Sequence, residues 1–161
     1  MGKNRKPRKA YRPRGIEPAA GLRLQPWRLN MLFNPVERIL DRLEAGDAFD
    51  VNEDGELETQ YHEVGHAFSV DITIHTLIEV YEIAAMRAPA KCPGIAPLRR
   101  LRSRLADDEG LTSADIEASR SCLAALRRYA ASLPSTELID VMRTLALKAQ
   151  MDDAEKTGAA S

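Results

Sequence analysis

Two cysteines in 161 residues, Cys92 and Cys122, are too few for a disulfide framework, and a reducing cytoplasm is the compartment that suits them. They stand 30 positions apart with no nearby histidine, so Cys122 reads as core filler and Cys92 as a loop residue. No apolar run approaches the roughly 18–20 residues of a membrane span. The basic start is not followed by an apolar stretch, so a secretory signal is not expected. A Gly-rich phosphate loop and a Ser-centred nucleophile elbow are both missing, as are internal repeats. Aromatic residues are scarce at 5%, against 44% apolar residues in all. Strand-like alternation is nearly absent, with the short Val70–Ile74 run its one candidate. These gaps leave a single all-α domain as the expected fold, a size that 161 residues suit.

Charge is present in quantity but unevenly placed. The formal total is -1, from 23 Lys plus Arg and 24 Asp plus Glu. Residues 1–28 carry nine cations and one acid, for +8. Residues 29–75 carry Arg38 and Arg42 against eleven acids, for -9, and residues 76–161 balance at zero. Such asymmetry points to interaction through charge.

Residues 1–28 read as an extended, disordered basic arm, because Pro7, Pro13, Pro18 and Pro26 break helices and little apolar surface is available to bury. Residues 29–151 read as a compact domain of five to six short helices, and 152–161 as a flexible tail. Asn34 suits an N-cap with Pro35 at the first helical position, and Gly46 suits a left-handed end. A second helix is expected over 57–68 and a third from Asp71 to about Ala88, with Ile74, Leu77, Ile78, Tyr81 and Ala85 on one face. Pro97 opens a basic helix with Leu98, Leu101 and Leu105 on one side. Thr112 with Asp115 resembles a capping box. Pro134 breaks the long helix that begins there, and Ser135 can cap the last helix, striped by Leu138, Met142, Leu145 and Ala149.

Three features carry chemistry. His62-Glu63-Val64-Gly65-His66 fits the H-E-x-x-H pattern. On a helix, His62 and His66 would share a face and bind zinc, with Glu63 as general base on the metal-bound water. That pattern resembles the zincin metallopeptidases over five residues. Ser69 and Ile72 stand where the extended pattern would want Gly and His, and Glu79 or Glu82 would have to serve as third ligand. The plainer alternative is an amphipathic helix with no metal, and no cofactor is the favoured expectation.

The segment from Asp50 to Leu57 follows the first eight positions of an EF-hand loop. Asp50, Asn52 and Asp54 would be calcium ligands and Gly55 the sharp turn, yet position 12 is Tyr61 where a bidentate Glu is needed. An acidic turn explains the same residues without calcium. The third feature is the arm, whose Lys3, Arg5, Lys6, Arg8, Lys9, Arg12 and Arg14 would neutralise phosphates while Tyr11 stacks on a base. Arg99, Arg100, Arg102 and Arg104 would add to that surface. The alternatives for the arm are a solubilising tail, or one folded onto the chain's own acidic block.

The run from Lys6 to Ile16 resembles the start of small proteins carried by proteobacterial phages, prophages and plasmids. Thr76–Ala85 and the pattern from Leu111 through Ile116 and Leu126 to Leu145 resemble the same proteins. The resemblance brings no activity. It implies an accessory protein of a mobile element that binds a host protein or nucleoprotein complex, in the manner of an anti-defence, anti-CRISPR-like inhibitor. The expected function is thus non-enzymatic binding. Asp47, Asp50, Glu53, Asp54, Glu56 and Glu58 would form an acidic surface for a basic partner, one that could mimic nucleic acid. A zinc metallopeptidase and a DNA-binding regulator are the rival expectations.

Overall fold

The computed structural model describes residues 26–60, 67–87 and 92–159. Five helices and a small sheet follow in the order α1 (Pro26–Ala45), β1 (Asp50–Val51), β2 (Leu57–Gln60), β3 (Ala67–Ser69), α2 (Val70–Arg87), α3 (Ala96–Ala106), α4 (Ser113–Ser132) and α5 (Ser135–Ala159). The protein is therefore mainly helical, and the three-stranded antiparallel sheet β1-β2-β3 corrects the all-α expectation.

Helix α1 starts before Asn34 and contains Pro35 in its interior. Leu29, Phe33, Val36 and Leu40 are all buried at helical spacing, so the apolar stripe continues upstream of the proline. Asn34 does not cap the helix. Its side-chain oxygen accepts a hydrogen bond from Arg127 of α4 at 3.1 Å. The expected stop at Gly46 is present, with φ +74°. Asp47 N–H donates to Arg42 O at 2.9 Å and Gly46 N–H to Leu43 O at 3.2 Å, which is the Schellman pattern.

The helix expected over 57–68 is replaced by strands on the described part of that segment. Asp50 pairs with Glu58 and Val51 with Leu57, while Glu58, Thr59 and Gln60 pair with Ser69, Phe68 and Ala67. The turn between β1 and β2 explains the difference. Gly55 N–H donates to Asn52 O at 3.0 Å, and Asn52 N–H to Glu56 O at 2.9 Å. Gly55 takes φ +82°, where a side chain would be strained. This is a three-residue hairpin loop closed by a left-handed glycine. The Asn52 side chain adds two bonds, accepting from Asp54 N–H at 3.0 Å and Glu56 N–H at 2.8 Å.

The strand candidate Val70–Ile74 is helix instead. Ser69, and not Asp71, caps α2, its hydroxyl accepting from Ile72 N–H at 3.3 Å. Burial of Val70, Ile74, Leu77, Ile78 and Tyr81 along one face outweighs the β-branched composition, and Ala85 lies half-buried beside them. At α4 the capping box is present. Thr112 Oγ1 accepts from Asp115 N–H at 3.2 Å, and Thr112 N–H donates to the Asp115 carboxylate at 2.9 Å. Helix α5 runs through the expected tail to Ala159, and Val141 joins Leu138 in the core while Met142 stays half out.

One core unites the five helices. Tyr81 stands at its centre, with ring neighbours Phe33 at 6.1 Å and Tyr129 at 6.2 Å. Its hydroxyl donates to Leu126 O at 2.9 Å, so the one polar atom of this buried ring is satisfied. Burial pushes the phenol well above its ordinary titration range. Cys122 is buried and Cys92 half-buried, both as free thiols, and burial raises both.

Candidate functional site

The acidic block of the sequence divides in two when folded. Its helical part is matched by arginines of α4. Arg120 Nη2 lies 2.6 Å from both Asp41 and Glu44. Arg127 Nη2 contacts both Glu37 carboxylate oxygens at 3.0 Å, and Nη1 donates to Asn30 at 2.9 Å. The Arg127 guanidinium also sits 5.1 Å from the Phe33 ring centre. These contacts join α1 to α4 and set two cations among three carboxylates.

The hairpin part is different. Asp47, Asp50, Glu53, Asp54 and Glu56 are exposed and Glu58 is half-buried. None forms an ion pair with a described residue. Asp50 and Glu58 are cross-strand partners, so two like charges face each other directly. Asn52 Nδ2 donates to Glu58 at 3.3 Å, a neutral contact that leaves the charge in place. No Lys or Arg occurs between residues 43 and 60.

Arg42 anchors this acidic projection to the body. Its Nη1 donates to the buried Thr59 hydroxyl at 3.1 Å, Nη2 donates to Ala48 O, and the guanidinium lies 4.7 Å from the Phe49 ring centre. The last turn of α1 is thus fastened to both the hairpin's approach and its middle strand. Leu57 and Thr59 turn inward on the same side, and Glu58 between them turns outward.

The basic helix α3 has the expected buried Leu98 and Leu101 with Leu105 half-buried. Three of its four arginines are already engaged. Arg99 pairs with Glu82 at 2.6 Å. Arg102 grips Asp71 with two bonds of 2.6 and 2.9 Å, and this fork holds the Asp71 carboxyl below the usual carboxylate range. Arg104 reaches Asp115 at 2.8 Å. Arg100 is exposed and makes no ion pair with a described residue.

Lys3, Arg5, Lys6, Arg8, Lys9, Tyr11, Arg12 and Arg14 lie outside the described residues, as do His62, Glu63 and His66. The described residues on both sides of 61–66 are paired strands. Among the described residues no group of three or more His, Cys, Asp or Glu is placed to hold a metal ion. Glu79, a suggested third zinc ligand, accepts from Lys148 Nζ at 2.7 Å, and Glu82, the other, is held by Arg99. Asn52, the second calcium position, spends its side-chain oxygen on two backbone N–H groups of the hairpin. No described helix is long and apolar enough to cross a membrane. No family model matches the chain, and no curated protein and no solved structure matches it either.

Sequence reasoning missed Arg42, Arg120, Arg127 and His75 as organising residues. For Arg120 and Arg127, spacing along the chain holds no signal for partners 76 to 97 positions away, and for Arg42 and His75 the contacts to Thr59 and Arg102 depend on how separate elements pack. The hairpin did leave one, in the Asn52-Glu-Asp-Gly55 run between two short segments, which the calcium reading absorbed.

Proposed function

We propose that this chain is a non-enzymatic, stoichiometric binding protein that presents the acidic hairpin of residues 47–58 to a basic surface on a host protein or nucleoprotein complex. The observation that carries the reading is the contrast in pairing. Glu37, Asp41 and Glu44 of α1, Asp71 and Glu82 of α2 and Asp115 of α4 are matched by arginines, whereas six carboxylates on the hairpin have no described cation. Unpaired like charges on a projecting strand pair stay in the native state at a small cost in stability, and they attract a cationic surface over about a Debye length. Such a surface resembles a short line of phosphates, which suits a nucleic-acid mimic. The resemblance to mobile-element proteins supports an anti-defence role for it. Engagement of Arg99, Arg102 and Arg104 within the fold favours a protein partner over direct DNA binding through α3.

The test is capture from a bacterial lysate by the tagged full chain, with and without nuclease, followed by competition with duplex DNA. Binding of a basic protein that survives nuclease, yields to duplex DNA, and is lost in a D50K/E53K/D54K/E56K variant is the expected result. Equal capture by that variant would remove the hairpin from the interface. Stoichiometric zinc in protein purified without chelator, lost in His62→Ala/His66→Ala, would replace the binding reading with a hydrolase.

A further inference from the structure

Arg102 reaches α2 through a third contact besides its fork on Asp71. Its Nη1 lies 2.8 Å from Nδ1 of His75. A guanidinium has donors and no acceptor, so Nη1 donates and Nδ1 receives. His75 is therefore neutral in this arrangement, with its proton on Nε2. That nitrogen faces Oε1 of Glu79 at 3.5 Å, and the same oxygen accepts from Lys148 of α5. The charged and titratable groups around the ring are Asp71 and Glu79 on its own helix, Arg102 and Arg99 from α3, and Lys148 from α5, with Glu82 beyond them against Arg99. The ring is 40% exposed, so protons reach it from solvent. It also lines a cavity of about 270 Å³ between α2 and α3, with Ile78, Ser103 and Ala106 on the walls.

We propose that His75 is a proton-operated selector: neutral, it adds a third tie between Arg102 of α3 and helix α2; protonated, it drops that tie, leaves Arg102 on its Asp71 fork, and grips Glu79. Imidazole is the side chain that ordinarily changes charge between pH 5 and 8. One proton from solvent adds to the Nδ1 lone pair that had accepted from Nη1. Both ring nitrogens are then donors, and two N–H groups cannot share a 2.8 Å approach, so Nη1 withdraws. The 3.5 Å approach of Nε2–H to Glu79 becomes an ion pair at the same time. One tie is lost and another strengthened, so the change is local to α3 and its cavity, with little effect on the whole fold. Asp71 stays ionised through this range because the Arg102 fork, with a smaller contribution from His75, holds its carboxyl low.

The experiment is a pH titration of the full chain, labelled with ¹⁵N, from pH 8 to pH 5. Side-chain signals of His75 are assigned by their loss in His75→Gln, a variant that can still accept from Arg102 but cannot titrate. At pH 8 the Nε2–H tautomer is expected. The Arg102 Nε signal should then move with the same midpoint as the His75 ring, and stay flat in His75→Gln. Amide exchange in α3, corrected for intrinsic rates, should quicken roughly two- to fivefold across that midpoint in the native chain alone. An Nδ1–H tautomer at pH 8 would overturn the proposal on the unmutated protein. So would an Arg102 signal that ignores the ring's titration, or one that moves equally in His75→Gln.

Discussion

The helical body and the hairpin use the same kinds of residue in opposite ways. In the body, arginines cross between helices to carboxylates on the facing element, as Arg120 does to Asp41 and Glu44 and Arg102 to Asp71, while Arg87 crosses to the Thr144 hydroxyl. In the hairpin, carboxylates face each other across the strands with no cation between them. The body's charges are therefore part of how the fold is held. Those of the hairpin are tolerated by a fold held elsewhere, through Arg42, Thr59 and the Asn52 turn. Charge that does not serve folding is free to serve binding.

The widest gap between the two regions lies in apolar burial. Tyr81→Ala empties the centre of the core and removes the hydroxyl bond to Leu126 O, and about 3–5 kcal/mol of stability should be lost in urea unfolding. Tyr81→Phe, which keeps the ring, should lose about 1 kcal/mol. Val51→Ala in the hairpin should change stability by less than about 0.5 kcal/mol, since that side chain is 61% exposed. Comparable losses at the two sites would erase the distinction between a body that stabilises and a projection that does not.

A second step sharpens the electrostatic side. Arg127→Met removes the guanidinium from the Phe33 ring together with the bonds to Asn30, Asn34 and Glu37, for an expected loss of about 1–2 kcal/mol. Arg120→Met breaks pairs whose carboxylates are 63–64% exposed, and should cost no more than about 1 kcal/mol. Thermal melts at low and high salt check both, with the Arg120 effect fading in salt and the Arg127 effect persisting.

Local chemistry was legible in the sequence where one turn of chain decides it. Gly46 ends α1, and Thr112 with Asp115 opens α4, because each motif needs partners within five residues. The face of Ile74, Leu77, Ile78 and Tyr81 was legible because helical burial repeats. The sheet was not, because strands of two to four residues offer too little alternation and their register comes from the Asn52 side chain. Pro35 misplaced the start of α1, since a proline inside a helix loses out locally while Leu29 and Phe33 upstream still pack into the core. The acidic surface was legible as composition, but its division into paired and unpaired halves depended on α4 folding back onto α1.

The capping box gives the comparison a pH axis. The Thr112 hydroxyl and N–H hold the Asp115 carboxyl below the usual carboxylate range, as the Arg102 fork does for Asp71. A lowered carboxyl adds stability above its unfolded value of about 3.9, and that stability disappears as pH falls through the folded value. Acid unfolding monitored on α4 should therefore begin below about pH 4, and Thr112→Ala should remove about 1 kcal/mol at pH 7 and less at pH 2.

The smallest effect is also the one with the opposite sign. Asp50→Lys places a cation directly across from Glu58 on the outward side of β1 and β2. An opposite-charge cross-strand pair contributes about 0.2–1 kcal/mol relative to neutral residues, and a like-charge pair is unfavourable. The substitution should therefore raise the unfolding midpoint slightly at low salt and leave it nearly unchanged at high salt. The same change should weaken capture of a basic partner, because it reverses one charge and pairs another. A variant that folds better and binds worse separates the two uses of charge at a single residue. A variant that loses stability instead would mean that Asp50 has a structural partner, and the hairpin would then belong with the body.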